Sequence, residues 1–117
     1  MNEEWVNDKL SRRMAVGRNQ MLTRLFLKRG AKVPPHKHVS EQISYVVTGA
    51  IRFTIKGKKI DVRSGEVLVI PPNVIHAAEA LEDTDDFDCF SPIRQDWLDG
   101  TDTYLRTGRS ELKRNER

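Results

Sequence analysis

Apolar residues recur at every second position along much of the chain. Met21, Leu25 and Leu27 share one face of residues 19–28. Ile43, Tyr45 and Val47 alternate with Ser44, Val46 and Thr48, and Ile51, Phe53 and Ile55 alternate with Arg52, Thr54 and Lys56. A period of two predicts half-buried strands. Gly49 separates the second run from the third. The Lys56-Gly57-Lys58-Lys59 segment predicts a hairpin turn before Ile60-Asp61-Val62. Arg63-Ser64-Gly65 is a further turn, and the β-branched run 67–70 stops at Pro71-Pro72-Asn73. Residues 76–80 and 87–90 are two more strand candidates, joined by an acidic turn over 82–86. Ser91-Pro92 can start a short helical turn that ends near Gly100. Many short strands with Gly and Pro turns predict an all-β sandwich or barrel.

At 117 residues the chain fits one domain. The expected organisation is a barrel domain over 1–105, with N-terminal strands and a C-terminal extension, followed by a charged, flexible tail over 106–117. The hydrophobic content of 38% beside 32% charged residues fits a folded, soluble class. The tail holds five basic and two acidic side chains, which accounts for the whole net charge of +3. The sequence pI near 9.2 therefore reflects a polar terminus, and no basic face with interleaved aromatics predicts nucleic-acid binding. The single cysteine, Cys89, excludes an intrachain disulfide and fits a reducing compartment. No apolar run reaches membrane-span length and MNEEWVNDKL has no apolar signal core, so the expected location is the cytoplasm. Cys89 and the aromatics Trp5 and Trp97 are read as packing residues.

The chain has three histidines, His36, His38 and His76. In a strand, positions i and i+2 point to the same side, so His-Lys-His offers two imidazoles together. Gln42 follows across the bend into the next strand, and Pro71-Pro72-Asn73 can return His76 to the same interior. Three imidazoles and an amide oxygen make a ligand set for one divalent transition metal per chain, with Mn, Fe, Ni, Zn and Co all compatible. A second cluster is Asp88-Cys89-Phe90-Ser91-Pro92-Ile93-Arg94. Asp88 and Phe90 share strand parity. On an interior face Asp88 is a candidate acid or base, and Arg94 a candidate partner for a substrate carboxylate.

These residues carry a resemblance. Gly30, five residues, His36-Lys37-His38, three residues, Gln42, six residues, Gly49 resembles the first cupin motif. Gly65, five residues, Pro71, one residue, Asn73, two residues, His76 resembles the second. The likeness covers roughly residues 20–91 and implies a single double-stranded β-helix, or jelly-roll-like, barrel. Gln42 stands where many cupins have glutamate, and Asn73 where the second motif has glycine. A neutral ligand set leaves the full charge of the ion in place, favouring Lewis-acid chemistry over the carboxylate-bearing triad of iron oxygenases. The D-x-F-S-P-x-R spacing further resembles a subgroup of small cupins from pectin and alginate catabolism that linearise 4,5-unsaturated monouronates to the keto form. The resemblance implies metal ligation by His36, His38, Gln42 and His76, and substrate roles for Asp88, Phe90 and Arg94. The expectation is a metal-assisted isomerase or tautomerase on a small oxygenated substrate. The alternatives are a metal-dependent dioxygenase and a non-catalytic small-ligand-binding or regulatory cupin. Because small barrels often bury sheet edges and aromatics against a partner, a homodimer is expected.

Overall fold

The computed structural model describes residues 2–116. Among these residues ten strands form in chain order: β1 (Glu4–Asn7), β2 (Leu10–Val16), β3 (Met21–Leu27), β4 (Lys32–His36), β5 (Glu41–Thr48), β6 (Ala50–Ile55), β7 (Lys58–Arg63), β8 (Val67–Ile70), β9 (His76–Ala80) and β10 (Thr84–Ser91). Two short helices follow, α1 (Gln95–Asp99) and α2 (Thr103–Thr107), and a single 3₁₀ turn at Arg114–Glu116. Among the described residues no helix is long and apolar enough to cross a membrane.

From β3 onward the chain steps back and forth between two antiparallel sheets. The larger has the order β1-β2-β3-β10-β5-β8, the smaller β4-β9-β6-β7. Their inner faces close on one core that includes Met21, Leu25, Val46, Phe53, Ile70 and Phe90. Each such side chain contributes about 1.5–3 kcal/mol through burial.

Local chemistry sets the turns. Lys56 and Gly57 both adopt positive φ, at 51° and 78°, the geometry of a tight two-residue hairpin joining β6 to β7. Gly49 has φ 99°, and a Cβ there would collide with Thr84 and the backbone of Asp83, so β5 can turn into β6 only at glycine.

Three features depart from the alternation. In β5 the interior face is Gln42, Ser44 and Val46, while Ile43 and Tyr45 are about 40% exposed on the outside. The acidic stretch 82–86 is only partly a turn, since β10 begins at Thr84. Asp85 points outward to a two-pronged ion pair with Arg24, and Asp86 points inward. The helix before Gly100 begins at Gln95, after a cis Ser91-Pro92 peptide.

Candidate metal centre

His36 ends β4, His76 begins β9, and their backbones are paired across the small sheet. His38 lies beyond β4, so it reaches the cluster from the connection to β5 and not from a shared strand. Asn73 adopts φ 61°, a left-handed conformation that asparagine tolerates, and its N–H donates to the His38 carbonyl at 2.8 Å. The turn before His76 is thereby pinned to the segment carrying His38. One ligand nitrogen from each of the three rings falls within 4.8 Å of the others.

Backbone carbonyls fix which nitrogens are free. Nδ1 of His36, His38 and His76 bonds the carbonyls of Pro34, Ser40 and Val74, each at 2.8 Å. Nδ1 is therefore the protonated nitrogen and Nε2 keeps a bare lone pair, as a metal-ligating imidazole requires. Burial lowers all three pKa values. The charge of His76 adds to the effect at His36, and Arg94 adds to it at His38, which falls to about 4. The rings are thus neutral near pH 7.

Two details test whether a cation fits. Nε2 of His76 is buried without a partner among the described residues. Nε2 of His38 lies 3.1 Å from Oε1 of Gln42, which sets two lone pairs against each other. The amide cannot easily reverse, because its Nε2 donates to Ser44 Oγ at 2.9 Å and lies 3.4 Å from Asp88 Oδ2. A cation among these atoms would satisfy both, so the donor set fits a divalent transition ion.

Asp88 sits behind Gln42, accepting a 2.6 Å bond from Ser44 Oγ and only 6% exposed. Asp86, two residues earlier on the same face, is more deeply buried, and its Oδ1 has no partner among the described residues. Burial and the charge of Asp88 push the Asp86 carboxyl well up. Burial also raises Asp88, against the opposing pull of Asp86, Ser44 and Arg94. Of the two carboxyls, Asp86 is thus pushed the more strongly toward its protonated form. Phe90 packs edge-on to His38 at 5.7 Å, and the Arg94 guanidinium lies 5.1 Å over the Phe90 ring.

Arg94 is already engaged. Its Nε and Nη2 fork the Asp96 carboxylate at 3.1 and 2.9 Å, and Nη2 also donates to the Tyr104 hydroxyl at 2.6 Å. Nη1 makes no hydrogen bond to a described residue.

The model of the cupin domain matches residues 24–91, more than half of the sequence. The chain belongs to the cupin family. Among solved structures it is similar to KdgF from Halomonas sp., with 35% identity, a TM-score of 0.78, and coverage of 84% of this chain and 94% of that one. An RmlC-like cupin from Shewanella frigidimarina is 29% identical with a TM-score of 0.77, covering 82% and 87% of the two chains. An uncharacterized protein of Methanocaldococcus jannaschii, MJ1618, is 33% identical over 66 residues, which are 56% of this chain and 53% of that protein. The match thus spans about half the length of that curated relative.

In this cupin the wall beside His36 and His38 is built mostly from residues outside the matched region. A recess of about 300 Å³ opens over His36 and His38, and Arg94, Asp96, Thr101, Tyr104, Glu111 and Leu112 line the rest of it with Lys37. The Tyr104 ring stacks on His36 with centroids 4.7 Å apart. The extension is tied to the barrel by Arg12, only 1% exposed, which donates to Glu4 at 2.9 Å and Asp102 at 2.7 Å and lies 4.6 Å over Trp97. Farther on, Ser110 donates to the Pro35 carbonyl and Lys37 pairs with Glu116, while Arg117 lies outside the described residues. Sequence reasoning passed over Asp86, Arg12, Asp96 and Asp102, and gave Tyr104 no role. Only Asp86 left a local signal, its parity with Asp88.

Proposed function

We propose that this cupin is a metal-assisted isomerase that converts a 4,5-unsaturated monouronate to its linear keto form. The observation that carries the reading is that Asp88, Phe90 and Arg94 line one cavity together with Gln42, His36 and His76. The sequence resemblance to the monouronate-linearising cupins supports the substrate class. A divalent ion held by His36, His38, Gln42 and His76 would supply Lewis-acid polarisation of a substrate oxygen.

The remaining roles belong to the protein. In ring opening the hemiacetal hydroxyl loses a proton, the ring carbon–oxygen bond breaks, and the alkene carbon gains a proton, so no atom is added or lost. Asp88, oriented by Ser44, takes and returns the proton. Arg94 receives the substrate carboxylate through Nη1, and Phe90 forms the apolar wall. The test follows the conjugated-alkene absorbance of a 4,5-unsaturated monouronate. Wild type should accelerate its loss without consuming oxygen. Asp88→Asn should keep the metal and lose about a hundred- to ten-thousandfold of the rate. Oxygen uptake would favour a dioxygenase, and wild-type activity in Asp88→Asn would remove Asp88 from the mechanism.

The assembly proposed is a homodimer through the outer face of the large sheet. Cross-strand register lines up Val69, Ile43, Cys89 and Leu22 there as one apolar row. Such a row suits a second copy of itself across a two-fold axis. Light scattering should give twice the 13.5 kDa chain mass. Ile43→Glu should return it to one chain, and a monomeric wild type would refute the assignment.

A further inference from the structure

Tyr104 is 8% exposed and lies between the recess over His36 and a cavity of about 50 Å³ inside the barrel, lining both. A phenol oxygen accepts about two hydrogen bonds and donates one. Both accepting positions are filled, by Arg94 Nη2 at 2.6 Å and by Trp97 Nε1 at 3.3 Å. The hydroxyl proton must point away from those two donors, and no described residue accepts it.

This arrangement is fixed from behind. Asp96 holds two nitrogens of Arg94, and Trp97 lies between two guanidinium groups, Arg94 at 4.9 Å and Arg12 at 4.6 Å. A hydroxyl that accepts a bond from a cation is also polarised toward donating. The result is an oriented, strengthened donor whose ring rests on the His36 imidazole.

We propose that Tyr104 donates a hydrogen bond to an oxygen of whatever ligand occupies the three-histidine centre, and so is a catalytic residue of the isomerisation. The ligand class is a small oxygen-bearing anion, a carboxylate or an enolate. Tyr104 keeps its proton throughout, and its part is to meet charge that builds on oxygen as the ring opens. A preset donor of this kind stabilises the transition state more than the ground state. Binding at the centre needs no particular reaction, whereas the catalytic part rests on the isomerase reading.

Tyr104→Phe keeps the ring over His36 and removes only the hydroxyl. The probe is acetate, titrated into cobalt-loaded protein and read from the visible absorption of the ion. The variant should bind acetate about tenfold more weakly. On the unsaturated monouronate its kcat should fall about a hundredfold, with KM changed much less. Equal acetate affinity in variant and wild type overturns the proposal, whatever the uronate does. If wild type turns over no uronate while the acetate difference holds, the substrate reading falls and the donor role of Tyr104 stands. Should Tyr104→Phe fail to fold, Tyr45→Phe gives a second measurement. Tyr45 lies on the outer face, and the chain has two tyrosines, so Tyr104 is then the only one left. Its ultraviolet resonance Raman bands should shift when acetate binds, and an unchanged spectrum with acetate on the cobalt overturns the assignment.

Discussion

Each of His36, His38 and His76 is anchored by a backbone carbonyl two residues away, whereas Arg94 and Tyr104 are anchored by each other and by Asp96 and Trp97 of the extension, which Arg12 from the other end of the chain braces. The first kind of support is short-range. Once the strand and its turn form, the ring is aimed, because the carbonyl that fixes it belongs to the same turn. The second kind needs β2, α1 and α2 in place together: Arg12 of β2 reaches Asp102 across ninety residues and holds the Trp97 face against which Arg94 lies. One barrel therefore carries a half built on the three histidines that depends on little else and a half around Arg94 and Tyr104 that depends on an extension. The two should respond separately to substitution.

The largest effect is expected at the ligands. His76→Ala, or His36→Ala, should drop metal content from near one per chain to near none, measured by elemental analysis of protein purified without an affinity tag. The fold should survive, since the His76 ring gives up one bond, from Nδ1 to the Val74 carbonyl, and its Nε2 has no partner among the described residues. Unchanged metal in both variants would end the assignment of the centre.

Arg12→Met probes the other half. It removes a buried guanidinium and leaves the fully buried Asp102 with Arg106 as its remaining partner. Breaking a buried pair costs about 3 kcal/mol, which lowers the melting temperature by on the order of 10 °C. Metal content should stay near one per chain, because no imidazole leans on Arg12. Loss of metal together with stability would show that the two halves are coupled.

The same contrast explains what the sequence discloses. The histidines and Gln42 are legible because their supports are local: Pro34-Pro35 before His36, Asn73 before His76, and a strand start after Ser40. The strands are legible for a similar reason, since period two is a local property. Which face turns inward is less so. β5 carries apolar residues on both sides, and the interior takes Gln42, Ser44 and Val46 because the site needs polar groups there. The outer Ile43 and Tyr45 look like core in isolation. Asp86 hides in an acidic stretch that reads as a turn until β10 is paired on both sides. Arg12 and Asp102 pair across the chain with no spacing to betray them, and Tyr104 gains its partners only when the extension folds back over His36.

The smallest and most discriminating change is Gln42→Glu, which alters one atom in kind where the two halves meet. Gln42 turns its oxygen toward His38 and its nitrogen toward Ser44 and Asp88. Glutamate can still give an oxygen to the ion, now with a charge, so metal should be held at least as well. The change is felt behind the ligand. Where an N–H approached Asp88, a second carboxylate oxygen now stands, in a region where burial already pushes the Asp88 carboxyl up. A like charge in a dry setting raises it further. A base with a raised pKa is ready only at higher pH, so the acid limb of the rate profile should move upward while metal content stays constant. The plateau rate should fall modestly, because a charged ligand weakens the Lewis acidity of the ion. An unmoved acid limb with normal metal would mean that Asp88 is not the base that Gln42 touches, and would separate the carboxylate from the centre it adjoins.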